Sequence, residues 1–375
     1  MEYSECCRKM KLLYSPDMKS TAIPGSGVTL ASQVFISDEP REEFMNINDL
    51  SIRENSTFSY PVFVPAGSDS KKVILLLHGL NERSWQKYLS WALYLSSQTG
   101  SYVILFPISF HITRSPSSWK DPRAMGSFLE RRNAEKVNVM QSSFANVALS
   151  SRLTEDPMRF FFSGYRTAAD ICKLLETIKA GKHELIPQTG IIDIFSYSIG
   201  SFLSEILMLA NPAGLLTESK LFMFCGGSVF SRMNGTSKLI MDNIAFNRLY
   251  GFYLKDFERS LNRKNPLFEF LNESKLGLAF RSMIDTSRLR SFREKFLKNI
   301  REQISAISLL KDRVIPPAGI SETIDVFSIG RKLEVIDPQY DYSHENPFPV
   351  FSNEISLKVD DCFKRVMGMA GEFVT

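Results

Sequence analysis

Histidine is scarce in this chain of 375 residues: there are four, His78, His111, His183 and His344. Chemistry that needs an imidazole base therefore has few places to go. Long apolar runs are missing as well, none approaching the roughly 18 to 20 residues of a membrane span. The opening MEYSECCRKMKLLYSPDMKS is too polar for the centre of a secretory signal, so no membrane span and a cytoplasmic location are expected. Cysteine is sparse and odd in number, five including the adjacent Cys6 and Cys7. The spacing fits neither a metal site nor a disulfide framework, which suits a reducing compartment. Cys225, inside LFMFCGG, reads as a buried small hydrophobe. Blocks of like charge are absent too: 45 Lys+Arg against 41 Asp+Glu leave +4 spread along the chain. That excludes nucleic acid and an anionic membrane surface as expected partners. There is no internal repeat and no low-complexity tract.

What is present is a globular composition, 44% hydrophobic and 23% charged. It supports one large domain with insertions or two modest ones. Strand and helix periods alternate. SYPVFVP and KKVILLLHG read as a hairpin-like pair around the turn AGSDS, the second a continuous apolar run of the kind buried on both faces. In RSWQKYLSWALYLSSQTG the residues Trp85, Tyr88, Leu89, Ala92 and Leu95 recur at helical spacing until Gly100. SYVILFP is another buried strand, Ile171, Leu174, Leu175 and Ile178 mark a helix, and TGIIDIFSYS leads into the helix GSFLSEILMLANP. KLFMFCGGS, ISAISLL and KLEVID are three further strands, with Leu289, Phe292, Phe296 and Ile300 marking a helix before the second. The class is α/β, a mostly parallel central sheet with helices on both faces. Residues 109–165 and 229–300 depart from the alternation at strand C-terminal ends, where such sheets place ligands. A cap built from one or both is expected.

The stretch IIDIFSYSIGSF, Ile191 to Phe202, ends a strand in small residues at every second position. A nucleophile on a sharp strand-to-helix turn needs small neighbours two before and two after, as in G-x-S-x-G. Ser198 has Ser196 and Gly200 there, whereas Ser196 would have Ile194 at the first of those positions. Ser198 is therefore the candidate nucleophile and Ser196 the residue that lets the turn close. A serine hydroxyl needs a base, and the base an orienting acid. His183 falls at the far end of the sheet and reads as a surface residue. His78 ends a strand and fits a hydrogen-bonded structural role as well as a catalytic one. His111 lies near enough to line a pocket. His344, in the polar loop VIDPQYDYSHENPFP, is the best base. Asp312 follows a strand in KDRVIPP and is the preferred acid; Asp337 is the fallback, and Asp341 is too close to His344 in sequence to orient it.

The order Ser198, Asp312, His344, with D-x-V-x-P after one strand and the histidine after the next, resembles the α/β-hydrolase fold. LLLHGL after a strand extends the resemblance, which covers about residues 55 to 375. The longer HGLNERSW resembles a poorly characterised branch of hydrolase-like bacterial proteins. The resemblance implies that the backbone N–H groups of Leu80 and Ile199 form an oxyanion hole and that Ser198, His344 and Asp312 form a catalytic triad. Ser196 departs from the usual first glycine, and Ser198 excludes the aspartate nucleophile that some members use.

The implied activity is that of a carboxylesterase-like serine hydrolase working through an acyl-enzyme, with a thioester, an amide or acyl transfer open to the same residues. A non-catalytic binding protein of the same fold stays as the competing class. No metal and no cofactor are implied; the expected partner is a small-molecule acyl substrate, and the expected state a monomer or homodimer. The expected division is an N-terminal extension with early strands (1–54), a core (55–228 and 301–375) and a helical cap insertion (229–300), with 109–165 a second source of lid. His78, Arg83, His111, Arg114 and Trp119, with Arg123, stand as candidate substrate-binding residues near the mouth. A solvated face is the preferred account of those arginines, and pairing with an acidic group on the substrate the sharper alternative. The apolar residues of 229–300, among them Ile244, Phe246, Leu249 and Tyr250, are too many for a solvated loop and point to small or medium hydrophobic acyl groups.

Overall fold

The computed structural model describes residues 2–67, 71–135, 137–261, 263–324, 333–350 and 355–374. Its strands are Ser20–Ile23 (β1), Val28–Ile36 (β2), Thr57–Pro65 (β3), Val73–Leu77 (β4), Tyr102–Phe106 (β5), Ile192–Tyr197 (β6), Leu221–Phe224 (β7), Ile304–Leu309 (β8) and Leu333–Ile336 (β9). They form one sheet in the order β1-β2-β3-β5-β4-β6-β7-β8-β9. β1, β2 and β3 pair antiparallel, β3 pairs antiparallel with β5, and every pairing from β5 to β9 is parallel.

β3 and β4 are not a hairpin. β3 pairs with β2 and β5, while β4 sits between β5 and β6. The reason lies in β4 itself, VILLL, buried at all five positions: a strand apolar on both faces is stable only inside a sheet covered on both sides. Most of the expected AGSDS turn, residues 68–70, lies outside the described residues.

The helices are Tyr3–Leu13 (α1), Gln86–Thr99 (α2), Pro122–Glu135 (α3), Val147–Glu155 (α4), Met158–Lys179 (α5), Ile199–Ala210 (α6), Asn243–Gly251 (α7), Phe257–Ser260 (α8), Pro266–Glu273 (α9), Lys275–Ser282 (α10), Arg290–Asn299 (α11), Pro317–Ile324 (α12) and Ile355–Phe373 (α13). Local signals account for several ends. Gly100 takes φ 65° to stop α2, and Asp242 and Ser274 accept N–H bonds at the starts of α7 and α10. The sheet's period of two divides its side chains between two cores. Val73, Leu75 and Leu77 of β4 join α5, α6 and the helices between β7 and β8, whereas Ile74 and Leu76 join α1, α2 and α13. Among the described residues no helix is long and apolar enough to cross a membrane.

The two long excursions meet each other. Arg132 of α3 forms a buried ion pair with Asp242 at the start of α7, Nη2 donating to Oδ1 at 2.8 Å. The amide of Met140 donates to Asn243 Oδ1 at 2.7 Å, and Ser143 Oγ donates to the Lys238 carbonyl at 2.5 Å. Asn81, in the loop after β4, donates to the carbonyls of Ala145 and Leu239, one from each excursion.

Glu205 on α6 is fully enclosed, and neither carboxyl oxygen has a hydrogen-bond partner. Burial lifts its pKa from an ordinary 4.5 to about 8, with Arg293 opposing weakly. The folded chain thus binds a proton that the unfolded chain has lost. The stability this contributes is complete below pH 4.5 and disappears as pH climbs to about 8, at most ~5 kcal/mol in all. Glu205→Gln removes the titration, so thermal unfolding followed by circular dichroism should show a smaller fall in Tm between pH 6 and pH 9 than in the parent. Equal falls in both proteins would contradict the burial argument.

Candidate active site

β6 runs directly into α6, and Ser198 occupies the junction with φ 57° and ψ −123°. Such backbone angles cost a non-glycine residue about 1–3 kcal/mol and persist only where the surroundings impose them. Here they are imposed by crowding from β4. A Cβ on Gly200 would lie 2.7 Å from the Leu77 carbonyl oxygen and 2.9 Å from that of His78. Ser196, at the other small position, is buried with its Oγ 3.1 Å from Ser201 Oγ and 3.3 Å from the Phe222 carbonyl. Its hydroxyl therefore faces the sheet, and that of Ser198 is left to face the loops.

Ser198 Oγ lies 2.6 Å from His344 Nε2, and His344 Nδ1 lies 2.7 Å from Asp312 Oδ2. The other carboxylate oxygen of Asp312 accepts the amides of Val314 and Ile315, both at 2.9 Å. The acid is thus fixed by the backbone turn that D-x-V-x-P encodes. All three residues are 4% exposed. Asp337 is exposed and paired with Lys311 at 3.1 Å, away from this chain of contacts. The histidine loop is anchored on both sides: Tyr197 hydroxyl donates to the His344 carbonyl, and its ring stacks on the imidazole at 19°. Lys87 Nζ donates to the Glu345 carbonyl at 3.0 Å.

The loop after β4 brings Leu80 to the same place. His78 is fully buried; its Nε2 accepts the Ile108 amide at 2.9 Å, so its proton resides on Nδ1, which donates to the Gly79 carbonyl at 2.7 Å. A trans peptide unit points C=O and N–H in opposite directions. Pinning the Gly79 carbonyl on His78 therefore turns the Leu80 N–H away from it, and Leu80 and Ser198 line one cleft. Gly79 N–H donates to Tyr88 hydroxyl (3.0 Å), which donates to Glu82 (2.6 Å), itself paired with Lys87 at 2.5 Å. Ile199 is the first residue of α6, so its N–H has no intrahelical acceptor.

A mostly parallel sheet with a strained serine on its central strand-to-helix turn, followed along the chain by Asp312 and His344, is the α/β-hydrolase fold. A family-wide sequence profile described as "Family of unknown function (DUF6051)" matches residues 15–375. The chain belongs to that family. No curated protein matches it. Solved structures of similar arrangement include an S-formylglutathione hydrolase from Agrobacterium tumefaciens (14% identity, TM-score 0.48, covering 96% of this chain and 100% of that one). Another is carboxyl esterase 2 from the mycorrhizal fungus Tuber melanosporum (10% identity, TM-score 0.49, covering 98% and 97%).

In this DUF6051 chain the residues expected near the mouth divide. Arg83 lines the cleft of about 470 Å³ that holds Ser198 and His344. His111 lines a narrow apolar pocket of about 60 Å³ shared with Leu80 and Ile199; burial holds its imidazole neutral, with the pKa down to about 3. The same cause puts His78 at about 3, and its two backbone bonds hold it in the core, outside the lining of either pocket. Arg114 is not at the mouth. It is fully buried, pairs with Asp170 at 2.7 Å and donates to Asn55, because an enclosed guanidinium requires an anion and several acceptors. Trp119 is occupied by the Arg152 guanidinium, 4.7 Å from its ring, and does not line either pocket; Arg123 is exposed. His183, expected at the surface, is half-buried against Tyr60 hydroxyl at 2.9 Å. Lys120 lines the cleft and escaped the sequence reading, since a lysine between Trp119 and Asp121 carries no periodic or motif signal.

Proposed function

We propose that this protein is a serine hydrolase that cleaves a carboxylic ester through an acyl-enzyme. The observation that carries the reading is the continuous relay from Ser198 Oγ through His344 to Asp312, with contacts of 2.6 and 2.7 Å. In the reading His344 Nε2 takes the serine proton as Oγ adds to the ester carbonyl, and Asp312 holds the imidazole and stabilises its cation. The N–H groups of Leu80 and Ile199 hold the oxyanion, a term commonly worth about 3–4 kcal/mol per donor in the transition state. Water activated by His344 then releases the acid.

Leu80 and Ile199 also border the apolar pocket lined by Ile108, Phe160, Phe202 and Ile206. An acyl chain continuing from a carbonyl held by those amides enters that pocket. Its volume of about 60 Å³ suits a few carbons. Labelling of Ser198 by a fluorophosphonate, mapped by mass spectrometry and absent from Ser198→Ala, tests the nucleophile and separates enzyme from binding protein. Across a p-nitrophenyl ester series, kcat/KM is expected to be greatest for acetyl to butyryl and at least about tenfold lower for octanoyl. Indifference to chain length would mean that the pocket does not receive the acyl group.

A further inference from the structure

The geometry points to an ester whose leaving group is an alcohol or thiol bearing an acidic group, read by Arg83 and Lys120 on the histidine side of Ser198. The inference rests on the hydrolase reading and deepens it by naming the substrate class.

Direction comes first. When the tetrahedral adduct collapses, the bond from acyl carbon to leaving atom breaks and His344 Nε2 gives that atom the proton taken from Ser198. The leaving group must therefore lie on the side that the imidazole lines. His344 borders the cleft of about 470 Å³ and does not border the narrow apolar pocket. The acyl group belongs in the pocket and the leaving group in the cleft. After acylation His344 takes a proton from the water that adds to the acyl carbon, the bond to Oγ breaks, and that proton passes to Ser198 Oγ.

Charge comes second. Four ionic side chains line that cleft: Glu82, Glu345, Arg83 and Lys120. Glu82 is already neutralised by Lys87 at 2.5 Å and bonded to Tyr88. Glu345 accepts the Ser237 hydroxyl, and although burial opposes it, hydrogen bonding holds the carboxyl below its ordinary value. Neither cation of the cleft forms an ion pair among the described residues. Arg83 forms no ion pair among the described residues, rests over the Phe144 ring at 5.5 Å, and has a buried Nη1 without any hydrogen-bond partner. The guanidinium lines the cleft with no anion against it, and an incoming carboxylate or phosphate would supply one. Lys120 is part-buried and donates to the Ile112 carbonyl, a neutral acceptor. Burial lowers its pKa, the exposed Glu54 raises it, and Arg83 is close enough to lower it further. Two cations that repel one another across a cleft beside the reacting serine gain from an anion between them.

The test holds the acyl group constant and changes the leaving group: 4-nitrophenyl butyrate, 3-carboxy-4-nitrophenyl butyrate and 4-(trimethylammonio)phenyl butyrate, each rate normalised to hydrolysis by hydroxide. The carboxylate ester is expected to have kcat/KM about tenfold or more above the neutral one, and the cationic ester to fall below it. Arg83→Gln and Lys120→Gln should each shrink the carboxylate-to-neutral ratio by at least about threefold, and Arg83→Lys by less. That ratio is taken within one preparation, so a partly unfolded variant does not distort it. It should also fall as salt is raised. A ratio near one, a ratio unmoved by the Arg83 and Lys120 substitutions, or preference for the cationic ester overturns the proposal while leaving the hydrolase reading intact. Failure of Ser198 to react with a fluorophosphonate, together with no turnover of any ester, overturns both.

Discussion

Replacing Ser198 by alanine should, on the proposed hydrolase reading, lower ester hydrolysis by about 10⁴-fold or more while leaving Tm near that of the parent, because the proposal makes the hydroxyl the reacting group and it supports no packing. His344→Ala should cost about as much, since a serine without its base is no better than water as a nucleophile, and losses within such a unit are not additive. Asp312→Asn keeps the shape but leaves His344 Nδ1 facing an amide, and a loss of about 10²–10⁴-fold is expected. Asp337→Asn should stay within about twofold of the parent, because Asp337 is engaged with Lys311 and Tyr342 at the surface. Steady-state kinetics on one neutral p-nitrophenyl ester decide the matter. If Asp337→Asn abolished turnover and Asp312→Asn did not, the acid would have to be reassigned despite the 2.7 Å contact. Ser196→Ala is the control for the neighbouring serine: among the described residues its hydroxyl meets Ser201 and a backbone carbonyl, so activity should persist.

Much of this site was legible because each piece is enforced locally. The elbow is written in small residues since Gly200 has a carbonyl oxygen 2.7 Å from where a Cβ would stand. Asp312 is written in its turn, whose amides at 314 and 315 close on the carboxylate. Strands were legible from apolar runs, and the parallel class from their alternation with helices. What was not legible depends on groups far apart in sequence. The apolar run of β4 says that the strand is buried, but not that β5 rather than β3 lies beside it. Arg114 reads as a rim cation until Asp170, 56 residues later, is seen against it inside the core. Arg83, in an equally polar stretch, remains beside the cleft. Composition cannot separate these two arginines, because the difference lies in which of them meets an anion from another element.

The two excursions explain why the cleft has its shape. Asn81 ties the loop that carries Leu80 to residues 145 and 239, and the Arg132–Asp242 pair joins the excursions behind it. Most polar side chains around the cleft are thereby committed to holding loops in place. The loop that carries Leu80 and the loop that carries His344 are also linked to each other, through Glu82, Lys87 and the Glu345 carbonyl. A preorganised site is expected of such wiring, since dipoles that need not reorient during reaction stabilise developing charge most effectively.

His78 should prove to be a positioning residue whose removal costs nearly as much as a lost oxyanion donor, about 10- to 10³-fold in kcat. Its side chain touches no reacting atom. It accepts the Ile108 amide and donates to the Gly79 carbonyl, and thereby fixes the peptide unit whose other end is the Leu80 N–H. In His78→Ala that peptide is free to turn, so kcat should fall with little change in KM, and fluorophosphonate should label Ser198 more slowly by a similar factor. The Ile108 N–H also loses its acceptor, at a cost of about 1–3 kcal/mol in stability. Counting active sites by titration keeps that loss apart from the kinetic one. His78→Gln can both accept from Ile108 and donate to Gly79, and should recover part of the rate. Because burial holds the imidazole near pKa 3, it is neutral throughout the usual assay range, and the substitution should scale the pH profile above pH 5 without moving its inflections. The same depression, from an ordinary 6.5, means that the unfolded chain takes up a proton that folded His78 refuses. Its contribution to stability is complete above pH 6.5 and lost as pH falls towards 3. A merely structural His78 would give a different result: His78→Ala would lose stability, yet each titrated site would turn over at the parental kcat.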